Sequence, residues 1–88
     1  MTVAEQFGRN LFLARRRAGQ SQQELADRAG VHRTEIGLLE NGRRTARLDT
    51  LMKLTGALEA DASELLKGIA WQPVENPAGC FRQSHWLK

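Results

Sequence analysis

A single cysteine, Cys80, among 88 residues excludes an internal disulfide and any cysteine-based metal cluster within one chain. It reads either as a tolerated small hydrophobe or as the point of an intermolecular bridge or redox response. Tyrosine is absent, and both prolines and both tryptophans fall with Cys80 in the last part of the chain. No apolar run approaches the roughly 20 residues of a membrane span. The start, MTVAEQFGRN, carries no apolar segment of a secretory signal, so a cytoplasmic chain is expected. Also missing are a catalytic Cys–His arrangement, a metal-ligand cluster and a phosphate-binding glycine loop, and Ser21, Ser63 and Ser84 have no recognisable base partner. The expectation is no enzyme, no cofactor and no metal. One small domain of this size buries only about 60% of its unfolded surface, which leaves a thin stability margin that a second subunit would widen.

What is present is unevenly placed. Residues 1–47 hold nine arginines against five acids, a balance of +4; residues 48–70 balance to −2 and the tail to +1, giving the net +3. A basic half is the electrostatic footprint of phosphate binding, although a solvated basic face would look the same.

Apolar spacing resolves the first 68 residues into helices. Thr2 and Glu5 form a capping box, and Val3, Phe7, Leu11, Ala14 and Ala18 follow as one stripe ending at Gly19. Before that stop stand Arg15, Arg16 and Arg17, which read as a cap for the negative helix end or as phosphate contacts. The segment SQQELADRAGVHRTEIGLLENG, Ser21 to Gly42, carries two shorter helices. Ser21 and Glu24 cap the first, and Leu25, Ala26 and Ala29 form its apolar face. Gly30 breaks the chain where a helix end needs positive φ, and Ile36 and Leu39 anchor the second helix. So short a joint forces a steep crossing, as in a helix-turn-helix. A fourth helix is predicted on Leu48, Leu51, Thr55 and Leu58 with Asp49 in its first turn. Asp61 and Glu64 cap a brief fifth that contributes Leu65 and Leu66 and stops at Gly68.

Gln22-Gln23-Glu24-Leu25-Ala26, Ala29-Gly30-Val31, Ile36 and Leu39-Glu40-Asn41-Gly42 together resemble the helix-turn-helix of phage repressors, Cro proteins and the small bacterial regulators of xenobiotic-response-element type. Each short motif is weak alone; their fixed separation carries the resemblance. It extends by pattern from about residue 2 to 68, the later and earlier helices matching by spacing more than identity. The implied fold is all-α: a five-helix, lambda-repressor-like DNA-binding domain over residues 1–68, then a non-helical tail over 69–88.

The resemblance also implies roles. The helix from about 32 to 41 would enter the major groove of double-stranded DNA, with Arg33, Thr34 and Leu38 facing the bases. Arg33 suits guanine O6 and N7 or a phosphate, Thr34 a base edge, and Leu38 only a thymine methyl. His32 would touch a phosphate or serve as a cap, and Glu35 would fold back on the helix start or meet cytosine N4. Gln22, Asn41, Arg43 and Arg44 would hold the DNA backbone, while Gly42 stops the helix. Gly37 inside that helix and the apolar Leu38 depart from the usual pattern and leave base preference open.

The tail, IAWQPVENPAGCFRQSHWLK, loses helical periodicity. Ala70–Val74 and Cys80–His85 flank a turn-forming ENPAG, which permits a β-hairpin or a loosely packed tail. A lone hairpin is barely stable in water, so it would need the helical domain or another subunit. Trp71, Phe81 and Trp86 are the candidate dimer or partner contacts. The expected function is a nucleoid-associated transcriptional regulator, a homodimer on an inverted repeat. The alternative is an antitoxin or adaptor that holds a protein partner through its tail.

Overall fold

Thr2 opens the first helix by the reciprocal bonding its sequence anticipates: its backbone N–H donates to Glu5 Oε1 at 2.7 Å, and Glu5 N–H donates to Thr2 Oγ1 at 3.1 Å. The computed structural model describes residues 1–73 and, for the backbone alone, 80–82. Five helices follow in order: α1 (Val3–Arg17), α2 (Gln22–Ala29), α3 (Arg33–Glu40), α4 (Leu48–Leu58) and α5 (Ala62–Leu65). All five lie where apolar spacing places them.

One cluster joins them. Leu11, Leu25, Ile36, Leu39, Leu54 and Leu65 are fully buried, each contributing about 1.5–3 kcal/mol of apolar burial. Phe7, Ala14, Ala26 and Leu58 complete its walls. Three apolar residues assigned to buried stripes are exposed. Leu48 is 75% exposed because it is the first residue of α4, beyond the reach of the core, and Leu54 and Ala57 take the inward positions. Leu66 follows the last residue of α5 and turns outward, and Ala18 caps α1 in solvent.

Polar contacts fix α5 against α1. Asn10 Nδ2 donates to the carbonyls of Leu65 and Lys67, both at 2.8 Å, and Gln6 Nε2 donates to Asn10 Oδ1 at 3.1 Å. These bonds satisfy carbonyls that a helix end leaves free. Arg17 Nη2 lies 2.6 Å from Glu64 Oε1 on the same junction.

Beyond α5, β1 (Ala70–Gln72) pairs antiparallel with β2 (Cys80–Arg82), Trp71 opposite Phe81. This is the pairing the tail sequence permits, over shorter strands. The ENPAG turn and Trp86 lie outside the described residues. No helix among the described residues is long and apolar enough to cross a membrane.

Candidate nucleic-acid interface

Two helix ends and one tight joint create the candidate surface. Ser21 caps α2: its hydroxyl accepts Glu24 N–H at 3.0 Å, and its own N–H donates to Glu24 Oε1 at 2.8 Å. Those bonds, the backbone one foremost, hold the Glu24 carboxyl below its ordinary value. At the other end Gly30 adopts φ 71° and ψ 35°, and Val31 N–H returns to the Ala26 carbonyl at 3.0 Å. A side chain at φ > 0 would be strained there, so the glycine ends α2 and lets α3 begin three residues later.

α3 is divided by its packing. Ile36 and Leu39 are fully buried, whereas Arg33 and Thr34 are exposed and Leu38 half-buried. The three residues expected to face bases thus lie off the core side. His32 sits at the N-cap with extended backbone but its side chain makes no capping bond. Glu35 does not fold onto the helix start: its Oε1 lies 3.0 Å from Arg44 Nη1.

Apart from His32, the residues expected to hold the backbone gather toward the other end. Gln22, the first residue of α2, donates from Nε2 to Glu40 Oε1 at 3.0 Å, placing it beside the last residue of α3. Asn41 is the C-cap and Arg43 is exposed in the loop beyond. Gly42, φ 69°, stops α3, and Arg43 N–H donates to the Leu38 carbonyl at 3.0 Å. A helix of eight residues is about 12 Å long, so the end of α3 capped by Asn41 lies roughly that far along the axis from Arg33. Arg44 is a second exception, since its side chain returns to Glu35 in the first turn.

Two determinants escaped sequence reasoning. Arg15, grouped there with its neighbours, is buried: Nε lies 2.6 Å from Glu40 Oε2, and Nη1 donates to the Gln20 carbonyl at 2.9 Å. Arg17 is likewise engaged by Glu64, which leaves Arg16 as the member of the triplet with no carboxylate partner among the described residues. Gly8 sets how closely α1 approaches α3. A Cβ there would collide with the Leu39 carbonyl oxygen and lie 2.8 Å from that of Glu40.

A family profile described as helix-turn-helix matches residues 11–65. The chain belongs to that family. This helix-turn-helix chain is 36% identical over 66 residues to the control protein C.SmaI of Serratia marcescens, covering 75% of its own length and 79% of that protein. It is 40% identical over 62 residues to a prophage-derived, uncharacterized HTH-type transcriptional regulator, YonR, of Bacillus subtilis, of which it spans 57%. Among solved structures, the restriction-modification controller protein C.AhdI from Aeromonas hydrophila superposes with a TM-score of 0.68 at 35% identity, over 70% of this chain and 94% of that one. The clp gene regulator ClgR from Corynebacterium glutamicum gives 0.71 at 27% identity, over 75% and 86%. This helix-turn-helix protein is accordingly a DNA-binding transcriptional regulator and not an enzyme.

β1, which follows α5, carries the first of the three aromatics expected as dimer or partner contacts. Trp71 is 54% exposed; the side chains of Phe81 and Trp86, expected to join it, lie outside the described residues. Among the described residues no group of His, Cys, Asp or Glu is placed to hold a metal ion.

Proposed function

We infer that the chain reads a specific sequence in double-stranded DNA by seating α3 in the major groove, and does so as a homodimer on an inverted repeat. The observation that carries this reading is the division of α3: Ile36 and Leu39 are sealed in the core while Arg33 and Thr34 stand exposed at its N-terminal turn. A helix so placed presents its first side chains to base edges. Arg33 and Thr34 would read bases, with Leu38 against a thymine methyl. Gln22, His32, Asn41, Arg43 and Arg44 would hold phosphates, which position a protein without specifying sequence. Residues 1–68 form the DNA-binding unit and 69–88 an arm for the second subunit, in which Trp71, Phe81 and Trp86 supply apolar contact. Half-sites would then lie about one helical turn apart.

Likeness to a control protein and to a restriction-modification controller supports a regulator of that kind. Exposed Trp71 also fits a protein partner held by the tail, in which case a small protein would co-purify with the full chain and be lost on truncation after Gly68.

Selection of bound duplexes from random DNA at stated salt tests the main reading. An inverted-repeat consensus is expected. Arg33→Ala should flatten the consensus at its position, whereas Arg43→Ala should weaken binding to all sequences and reduce the salt slope by about 1. A monomer without salt-dependent affinity, or equal losses of preference for both variants, would refute it.

A further inference from the structure

Three arginines flank the groove-facing helix: Arg33 at its start, and Arg43 and Arg44 in the loop past its end. Among the described residues only Arg44 of the three has a carboxylate partner, Glu35, with Nη1 and Oε1 3.0 Å apart. The loop is shaped to make this contact. Gly42 turns the chain at φ 69°, Arg43 N–H ties the turn to the Leu38 carbonyl, and the Arg44 side chain runs back to the first turn of α3. Glu35 therefore holds a cation in place beside the surface that would meet phosphate.

Binding to arbitrary DNA is driven by phosphate neutralisation, each neutralised phosphate adding about 0.9 to the slope of affinity against salt. Arg44 keeps donors free while Nη1 rests on Glu35, but its charge is then compensated, so it neutralises a phosphate in full only by leaving the carboxylate. The pair is 54% and 25% exposed, and pairs this accessible are weak enough to exchange. We propose that Glu35 competes with DNA phosphate for Arg44, withholding that arginine from unspecific complexes and so raising the ratio of specific to unspecific binding. Arg44 then takes its phosphate only where a fully seated helix compensates for the broken pair. The inference rests on the DNA-binding reading above.

A carboxylate near DNA also repels phosphate by its charge alone. Double substitution separates the two effects, since competition acts through Arg44 and simple repulsion does not. The full chain, Glu35→Gln, Arg44→Gln, the double variant and Arg43→Gln are titrated with a short duplex of random sequence over a salt series, thermal melting checking that each is folded. Glu35→Gln should steepen the salt slope by about 0.9 and tighten binding about two- to fivefold. Arg43→Gln should lower the slope by about 0.9, Arg44→Gln should lower it by clearly less, and the double variant should match Arg44→Gln. Equal tightening by Glu35→Gln in the Arg44→Gln background overturns the proposal, and so does a slope lowered equally by Arg44→Gln and Arg43→Gln, an outcome readable even if Glu35→Gln does not fold. A parent chain with no salt-dependent affinity overturns instead the DNA-binding reading beneath it.

Discussion

Arg15 on α1 and Glu40 at the end of α3 form a two-pronged ion pair, Nε to Oε2 at 2.6 Å and Nη2 to Oε1 at 3.1 Å, with side chains only 10% and 5% exposed. The same Glu40 Oε1 accepts Gln22 Nε2 at 3.0 Å, so one carboxylate ties α1 and α2 to the helix proposed to enter the groove. Burying two ions is costly, and the geometry offsets that cost only while both are present. Glu40→Ala should therefore lose about 3–5 kcal/mol in urea denaturation. Arg15→Met combined with Glu40→Leu should recover much of that loss, because no charge is then left buried alone. A single-variant loss under about 1 kcal/mol would show that water reaches Arg15 and that the pair is not a clamp.

What made this pair hard to read from sequence is that nothing local marks it. Arg15, Arg16 and Arg17 are chemically alike, and the distinction among them comes from the partners brought by distant segments: Glu40 for Arg15 and Glu64 for Arg17. The capping boxes at Thr2 and Ser21 and the stop at Gly30 were legible because every group involved lies within a few residues. Inward faces were legible in helix interiors, as with Ile36 and Leu39, and failed at helix ends, as with Leu48 and Leu66. Periodicity says which residues share a face and not where the neighbouring helix stops. At the candidate site, outward placement of Arg33 and Thr34 followed from the same periodicity. The attachments of Gln22 and Glu35 required the fold.

Gly8 and Gly37 should respond oppositely to alanine. Both are helical, where Ala is normally favoured over Gly by about 0.5–1 kcal/mol. A Cβ at Gly37 meets nothing within 4 Å, so Gly37→Ala should stabilise by that amount. A Cβ at Gly8 meets backbone oxygens that cannot swing aside, so Gly8→Ala should destabilise by about 1–3 kcal/mol through forced separation of α1 and α3. Denaturant midpoints of the two variants check the signs. A stabilised Gly8→Ala would mean that the helix crossing is looser than described.

Truncation after Gly68 should leave the helical unit folded, since Leu65 closes the core and, among the described residues beyond Gly68, Ile69 alone packs against it. Helical circular dichroism and a cooperative melt are expected to persist. If the tail is the dimer arm, the mass measured by light scattering should fall from two chains to one. A truncated chain that remains dimeric would move the interface onto the helices, where Leu13, Met52 and Leu66 stay exposed.

Acid should expose the capping boxes. Glu24 is held below its ordinary carboxyl value of 4.5 by its bonds to Ser21, and Glu5 likewise by Thr2. In the unfolded chain these bonds are absent, so between the folded and unfolded values the unfolded state binds more protons. Their contribution is thus fully present above about pH 4.5 and is lost as pH falls through the lower folded value. Glu24→Gln keeps an acceptor at the third helical position but removes the titrating group. Melting temperature followed from neutral pH to well below 4.5 should fall less steeply for Glu24→Gln than for the parent, and less again for Glu5→Gln with Glu24→Gln. Superimposable curves would assign the acid sensitivity to groups outside the two capping boxes.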